Sequence, residues 1–460
     1  MAFPLITYPY VTRVLGVDNI GKYNFASSII GYLAMISGFG ISSYAVREGA
    51  RLRESKEKET MFVNQMFMIG LLTTFCAYLI MIVLCGFDKI EPYTKLIVIH
   101  SATLIGNAIG VEWLNSIYED FAYITARALF FQILSILLMF LFVKSEDDLY
   151  VYAMISALSG VGGYICNYFH SRKFVRISLT RDINLKKYFR PLLTFFSSNL
   201  TTTIFVNSDQ TMLGLMCGDY YVGLYAIAVK VYNVLKNIFT SILFVVIPRI
   251  CILDGQGKEE DRNQLSEMTL KSILVLVLPM SVGIFAVADK TVLIVAGAEY
   301  FDGTSALRIL AVSVFASSLA SYMTYIHIVP SGYDKILLLG SSISAGVNIV
   351  LNIFMIPLWQ HNGAAFTTFV SEFTVLIIEW LYVKPKINYR EILKTIVQTL
   401  VACLSMVSVL YFVDKLMWNT NVLATIEVMA GVLAYYAAML LMRNDMILFA
   451  TQKIIGKVKK

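Results

Sequence analysis

Long apolar runs follow one another along almost the whole chain, and this pattern restricts the fold more than any other feature of the sequence. A helix needs about 20 predominantly apolar residues to cross the hydrocarbon core of a bilayer. The sequence therefore predicts an all-α protein that crosses a membrane many times. Thirteen runs have the required length, near residues 23–46, 61–86, 94–116, 121–143, 149–169, 191–217, 220–247, 269–297, 305–329, 335–357, 361–383, 392–413 and 421–442.

The composition agrees with a membrane protein. Charged residues make up 15% and apolar residues 58% of the 460 residues, whereas soluble domains carry about 25% charged residues. The first dozen residues, "MAFPLITYPYVT", are apolar but too short to span a bilayer. We expect them to be the second half of a truncated first helix. The prediction is therefore about 14 transmembrane helices, of which the first is truncated.

Lysine and arginine are distributed unevenly between the two sets of connections. Most of the 37 lie in alternate connections, which include 47–58, 172–190, 249–271 and 384–394, and in the tail 443–460. Connections on the cytoplasmic side of a membrane carry an excess of these residues. We expect this side to face the cytoplasm, with both termini there, and the basic tail to contact membrane lipid.

No pattern typical of metal binding or catalysis is present in the sequence. The six cysteines form no CxxC pair, and the four histidines are scattered without an HExxH spacing. Every connection on the outer side is short, so no external domain is available for a separate activity. We predict no cofactor, no metal and no nucleic-acid partner, and we predict that the protein is not an enzyme.

A short motif occurs twice, at equivalent places. "LGVDNIGKYNFA" and "LGLMCGDYYVGLYAIA" each contain G-x-Y-x-x-A, beginning at Gly21 and at Gly223. The two copies lie six spans apart, so they point the same way and indicate a parallel repeat, a feature of transporters whose sites lie between the repeats. We predict an N-terminal helical lobe at 1–190, a C-terminal lobe at 191–390, and two additional helices with the basic tail at 391–460.

One apolar run contains a carboxylate, in the stretch "FVNSDQTMLG" at 205–214. A charge near the middle of a bilayer costs about 2.5–3.5 kcal/mol. Asp209 lies about 8 residues before the outer turn and Lys230 about 8 residues after it, so both lie about 12 Å below the outer surface. We therefore expect Asp209 and Lys230 to form an ion pair or to face a hydrated cavity.

Polar side chains form a stripe along each of these two consecutive helices. Two facing stripes predict a hydrated lumen. The alternative is that the polar side chains hydrogen-bond packed helices to one another. The stripes comprise Asn199, Thr203, Asn207 and Gln210 on the first helix, and Lys230, Asn233, Asn237 and Ser241 on the second.

Further charges lie in or near the spans of both halves. Arg13, Arg47 and Arg127 are candidates for the lumen, and a position at the membrane interface is the alternative for Arg47. A cavity rich in arginine and lysine lowers the cost of moving an anionic group across the bilayer. Glu112, Glu372 and Glu379 are each candidates for a proton or sodium site, and the sequence does not choose among them.

Four segments carry a resemblance that covers nearly the whole chain and keeps its order. The chain resembles Wzx-type polysaccharide or O-antigen flippases of the polysaccharide transporter family, in the multidrug/oligosaccharidyl-lipid/polysaccharide exporter (MOP) superfamily. The segments are "FPLITYPYVTRVLGVDNIGKYNFA", "EWLNSIYEDFAYITAR", "NSDQTMLGLMCGDYYVGLYAIAVKVYNVLK" and "NIVLNIFMIPLWQHNGAAFTTFVSE".

The resemblance implies a MATE-like fold, with two six-helix lobes around a cavity and two further helices. It implies that undecaprenyl-pyrophosphate-linked oligosaccharide units are flipped across the bacterial plasma (inner) membrane by alternating access, for capsule, O-antigen or exopolysaccharide synthesis. It also implies coupling to H⁺ or Na⁺, with a polysaccharide polymerase and chain-length machinery as candidate partners. Arg13, Arg47, Asp209 and Lys230 become candidates for substrate contact or gating.

Three alternatives remain open at this point. A multidrug or cation antiporter of the same superfamily would need an acidic cavity, and this chain has more arginine and lysine in its spans than that predicts. A peptidoglycan lipid-precursor flippase is not excluded by the chemistry. A membrane-bound polysaccharide polymerase or acyltransferase would be expected to show a sizeable outer loop or a His/Asp catalytic cluster, and the sequence contains neither.

Overall fold

A computed structural model describes residues 3–182, 184–416 and 420–458, and all regular structure in these ranges is helical. By its internal contacts the chain divides into Met1–Gly223, called unit 1, and Leu224–Lys460, called unit 2. The division at 190 and 390 concerns sequence repeats rather than contacts and stays a prediction. Met1 and Ala2 of the first apolar segment, and Lys459 and Lys460 of the basic tail, lie outside the described residues.

Unit 1 consists of eight helices and the start of a ninth. The ninth, α9, continues into unit 2. The helices are α1 (Phe3–Gly38), α2 (Ile41–Leu52), α3 (Lys56–Cys85), α4 (Thr94–Gly110), α5 (Glu112–Ile117), α6 (Phe121–Phe142), α7 (Leu149–Ser171), α8 (Leu185–Met216) and α9 (Asp219–Gly255).

Unit 2 consists of the remainder of α9 and seven further helices. A π-helical turn, Met323–Ile328, directly follows one of them. The helices are α10 (Glu259–Ala286), α11 (Ala288–Val295), α12 (Thr304–Tyr322), α13 (Asp334–Val383), α14 (Tyr389–Leu416), α15 (Thr420–Leu441) and α16 (Asp445–Val458).

Two of the long helices are each two helices joined at a sharp break. α1 breaks at Gly16, with φ 76° and ψ 170°, and α13 breaks at Gln360, with φ 47° and ψ −126°. By length and composition, nine helical stretches of the described chain can cross a membrane, and Thr7–Leu52 and Lys335–Val383 contain these breaks. The all-α membrane fold with many spans is therefore confirmed.

Three of the predicted runs were wrong in their bounds. The run 23–46 ends early, because α1 stops at Gly38 and the chain turns through left-handed Phe39 and Gly40. The runs 94–116 and 269–297 are interrupted at Val111 and Val287. The turn residues are mostly apolar and at least half-buried. The hydropathy profile therefore stays high through each turn and does not mark the end of a helix.

After the turn at Phe39 and Gly40, the chain forms a separate helix, α2. Its apolar face, with Ile41 and Tyr44, packs against Phe62 of α3 and Tyr188 of α8 in a core of unit 1. The opposite face is charged, as the amphipathic pattern of an exposed helix requires. Arg47, expected at the end of a span, therefore lies on a separate amphipathic helix.

The repeated motif marks a reciprocal contact between two helices within unit 1. A Cβ atom on Gly21 would lie 1.9 Å from the main-chain oxygen of Asp219, and one on Gly223 would lie 2.2 Å from that of Val17. Gly223 and Asp219 follow Gly21 and Val17 by the same number of positions. The two contacts are therefore equivalent when the repeats are exchanged.

The tyrosine of the motif makes an equivalent hydrogen bond in each unit. In unit 1 the hydroxyl of Tyr23 lies 2.8 Å from Ser156 Oγ on α7. In unit 2 the hydroxyl of Tyr225 lies 3.0 Å from Thr368 Oγ1 on the second half of α13. The second and sixth helices of each repeat are thus joined in the same way, which supports the parallel repeat.

We predict that Gly21→Ala and Gly223→Ala each lower the free energy of unfolding by about 1–3 kcal/mol, because each methyl group overlaps a main-chain carbonyl. Gly346→Ala is the matched control, since no atom lies within 4 Å of its Cβ position. Thermal unfolding of the purified protein in detergent measures the three changes. Equal effects at all three glycines would contradict the reciprocal contact.

Candidate functional site

The polar side chains of α8 fall on different sides of that helix. Asn207 lies against Gly31 of α1, and a Cβ atom on Gly31 would be 2.6 Å from Asn207 Nδ2. One turn further along, Thr211 Oγ1 lies 2.7 Å from Ser28 Oγ. This side of α8 therefore makes an interhelical contact within unit 1, of the kind expected when polar side chains join packed helices.

The carboxylate of the same stretch is buried. Asp209 is 5% exposed and lies about half a turn around α8 from Asn207. Gln210 is half-buried. Asn207 and Asp209 thus have different surroundings, although they are two residues apart.

Arg127 forms an ion pair within unit 1. Its Nη2 donates to Glu112 Oε2 at 2.8 Å, and its Nη1 donates to the main-chain oxygen of Gly163 at 3.1 Å. Asn167 also donates to Glu112 Oε2, at 3.2 Å. The arginine is 10% exposed and the carboxylate 42% exposed. Arg127, a candidate for the lumen, and Glu112, a candidate for ion binding, therefore neutralise each other.

The other two candidate arginines are exposed. Arg13 Nη1 donates to the main-chain oxygen of Pro9 at 2.6 Å, one turn earlier in α1. Arg47 lies on α2 with its guanidinium 4.9 Å from the centre of the Phe195 ring. Stacking on an aromatic ring leaves the charge of Arg47 open to the surroundings, and this position fits the interfacial alternative for that residue.

The stripe on α9 lies in unit 2. Lys230 is half-buried, whereas Asn233 and Asn237 are exposed. Polar amides exposed on the middle of a span are unfavourable in hydrocarbon, so a hydrated environment is the favourable one. Asp209 belongs to unit 1 and Lys230 to unit 2, and the ion pair between them stays a prediction.

Sequence reasoning missed an ion pair in unit 2 whose carboxylate is buried. Lys236 Nζ donates to Glu372 Oε1 at 2.6 Å, and the Tyr232 hydroxyl donates to the same oxygen. Glu372 is 5% exposed and Lys236 29% exposed. The available signal was that each is a charge inside an apolar run of the same repeat, but the partner depends on how α9 packs against α13.

Unit 2 also contains a network of ion pairs that joins three helices. Lys290 of α11 contacts Asp414 Oδ1 of α14 at 2.5 Å and also Glu427 of α15. These groups line a cavity of about 380 Å³ that also contains Arg308. Glu427 is fully buried, so Lys290 supplies the charge that makes its ionised form tolerable.

We predict that the pair of Lys236 and Glu372 is strongly coupled. Removing one partner of a buried pair costs about 3–5 kcal/mol, because the remaining charge is left without a counter-ion. Lys236→Met and Glu372→Gln should each destabilise the protein by that order, and the double variant should lose clearly less than their sum. Chemical unfolding measured over the four-protein cycle tests this, and additive losses would show that the two residues do not interact.

A smaller network lies outside the spans, at the start of α6. Lys173 Nζ lies 2.7 Å and His170 Nε2 lies 2.9 Å from Asp120 Oδ2. The hydrogen bonds from Lys173 and His170 lower the pKa of Asp120 from 3.8 to about 2. A lowered carboxyl pKa stabilises the fold above the unfolded pKa, and this contribution disappears as the pH falls through the folded pKa.

We predict that Asp120→Asn lowers the thermal midpoint at neutral pH and that the difference from the unsubstituted protein shrinks between about pH 4 and pH 2. The exposed neighbour Glu119, changed to Gln, serves as control. Unfolding scans at several pH values measure both variants. A difference for Asp120→Asn that stays constant down to pH 2 would contradict the lowered pKa.

Two solved structures with a similar fold are a lipid flippase and a multidrug transporter. The lipid II flippase MurJ, in an inward closed conformation, matches with a TM-score of 0.78 over 97% of both chains, at 17% identity. An inward-facing multidrug resistance MATE family transporter matches with a TM-score of 0.60 over 83% of this chain and 93% of that one, at 13% identity. The MATE-like fold is thereby confirmed.

Three relatives in sequence are named as transporters or as a transport protein. A protein of Escherichia coli named as an O-antigen transporter is 23% identical over 83% of this chain and 92% of its own length. Its counterpart of Shigella dysenteriae is 24% identical over 79% and 90%. A succinoglycan biosynthesis transport protein of Rhizobium meliloti is 23% identical over 67% of this chain and 62% of its own length.

The family model described as "Polysaccharide biosynthesis protein" matches residues 1–253, which is more than half of the 460 residues. This match contains both copies of the G-x-Y-x-x-A motif and the polar stretch of α8. The resemblance to polysaccharide flippases that rested on short sequence segments is confirmed. The chain belongs to the polysaccharide biosynthesis protein family.

Proposed function

We propose that the protein is a flippase that moves undecaprenyl-pyrophosphate-linked oligosaccharide units across a membrane for surface polysaccharide synthesis. The observation that carries this proposal is the family match together with two relatives named as O-antigen transporters, which align over most of their own length. The names of all three relatives concern transport, which supports a transporter rather than an enzyme.

The chemistry of the substrate suits the charges in the spans. A pyrophosphate headgroup needs cationic or amide donors while it crosses the hydrocarbon region. Lys230, Asn233 and Asn237 supply such donors along one face of α9, with both asparagines exposed. In the proposed cycle Lys230 contacts the pyrophosphate, and Asp209 neutralises Lys230 when the headgroup is absent.

The proposed location is the bacterial plasma (inner) membrane, with both termini in the cytoplasm. The excess of lysine and arginine in alternate connections supports this orientation. We also infer that a proton or sodium gradient drives the alternating access, and that a polysaccharide polymerase and chain-length machinery receive the flipped units. A reporter fused to the C-terminus checks the orientation.

We predict that Lys230→Ala and Asp209→Ala reduce surface polymer by about tenfold or more in a cell that depends on this gene, since a hydrogen bond to a charged group is worth about 1.5–3 kcal/mol. Lipid-linked intermediates should accumulate in the same cells. Lys386→Ala, which removes an exposed ion pair with Glu259, is the control and should leave polymer unchanged.

Protein level is measured by immunoblotting of membranes for all three variants. Full polymer with normally expressed Lys230→Ala and Asp209→Ala would contradict the assignment of these residues. A charge-swapped double variant, Asp209→Lys with Lys230→Asp, separates two roles. Normal transport by that variant would indicate a structural pair, whereas lost transport with normal insertion supports a contact with substrate.

A further inference from the structure

Three carboxylates in the spans were candidates for an ion-binding site, and the structure distinguishes them by their partners. Glu112 pairs with Arg127, and Glu372 pairs with Lys236. Glu379 has no ion pair in the part of the chain that the structure describes. The carboxylate without a counter-charge is the one that binding of a cation would neutralise.

Glu379 is fully buried, and its hydrogen bonding is incomplete. It is 0% exposed, on the second half of α13. Oε1 accepts a hydrogen bond from Thr324 Oγ1 at 2.8 Å, while Oε2 has no hydrogen-bond partner among the described residues. A buried carboxylate anion with one hydroxyl donor and no cation is very costly. This environment therefore favours the neutral, protonated form of Glu379.

The neighbouring groups of the described chain do not neutralise a negative charge on Glu379. Glu372 lies on the same face of α13, two turns away, which is about 10 Å along the axis. Lys236 is already paired with Glu372. The facing half of α13 presents Gly340, whose Cβ position is 4.0 Å from Glu379 Cγ. Among the other titratable or charged groups on these packed elements, His327 is bonded to Ser266 and Tyr322, and Tyr232 is bonded to Glu372. Tyr325 is in ring contact with Phe244, and Lys335 and Tyr382 are exposed.

Among the described residues, the donor to Glu379 is Thr324, which lies in irregular backbone. Thr324 belongs to the π-helical turn Met323–Ile328, and its carbonyl oxygen accepts from the amide of Val329 at 2.9 Å. π-helical turns are rare and occur frequently at functional sites. A rearrangement of this turn would withdraw the hydroxyl and open the carboxyl to water.

We propose that Glu379 is the site that binds the coupling proton, an inference that rests on the proposed function for its role in transport. The carboxylate takes up one proton when water reaches it and forms the neutral carboxyl that the closed environment favours. It releases that proton when the π-helical turn rearranges and exposes it. A proton needs one acceptor oxygen, whereas a sodium ion needs several oxygen ligands, and among the described residues the hydrogen-bond partner of Glu379 is the Thr324 hydroxyl.

The first test measures proton binding directly, in the purified full chain in lipid vesicles. Infrared difference spectra between acidic and alkaline buffer should show the C=O stretch of a buried protonated carboxyl. Glu379→Gln should remove this signal. Glu427→Gln, the control at an equally buried carboxylate that has Lys290 as partner, should keep it. A signal that survives in Glu379→Gln overturns the proposal.

A second variant keeps the carboxyl and covers the case in which Glu379→Gln does not fold. Thr324→Val preserves the shape of the side chain and removes the one hydrogen bond to the carboxyl. The C=O stretch should therefore shift to the frequency of a carboxyl that accepts no hydrogen bond. An unshifted band in folded Thr324→Val overturns the assignment to Glu379.

The transport test imposes a pH gradient across sodium-free vesicles that contain a fluorescent pyrophosphate-linked oligosaccharide lipid. The gradient should accelerate translocation several-fold in the unsubstituted protein and not at all in Glu379→Gln. Acceleration that persists in Glu379→Gln overturns the proposal, as does acceleration by a sodium gradient at constant pH that Glu379→Gln removes. If the unsubstituted protein moves no such lipid while the infrared signal depends on Glu379, the proposed function fails and the proton site stands.

Discussion

The cost of a charge in a low-dielectric interior determines where the charged residues of this protein lie. Within unit 1, Arg127 and Glu112 neutralise each other, and within unit 2 Lys236 does the same for Glu372. A cation or anion inside a span is tolerable when it has a partner or faces water. The structural pairs identify which charges hold helices together. The roles in transport that we propose concern other polar groups, on α9 and at Glu379.

The two sequence repeats share the same local contacts. Gly21 and Gly223 allow two helix starts to approach within van der Waals contact of a main-chain carbonyl, and no larger residue fits there. Tyr23 and Tyr225 then join the second and sixth helix of each repeat through a hydroxyl. Duplicated contacts of this kind explain why a short motif is retained at both places in one chain.

The sequence allowed the all-helical membrane fold with many spans and the repeat to be predicted, because each depends on local composition and spacing. The breaks were missed at Phe39, Val111 and Val287, since those residues are apolar and a hydropathy profile does not register a change of backbone conformation. The ion pairs were missed for another reason. Whether Glu372 meets Lys236 depends on the rotation of α9 against α13, and spacing within one helix does not determine it. The same limit applies to Glu379: that no cation pairs with it in the described part of the chain becomes visible only when its neighbours are known.

The central claim is that cationic and amide groups in the spans accept the pyrophosphate headgroup of a lipid-linked saccharide. Native mass spectrometry of the purified protein with matched lipids tests this most directly. The account predicts that the pyrophosphate-linked saccharide binds more tightly than a saccharide on the same lipid through an uncharged linkage, and that Lys230→Ala removes most of the difference. Equal binding of the charged and uncharged lipids to the unsubstituted protein would contradict it.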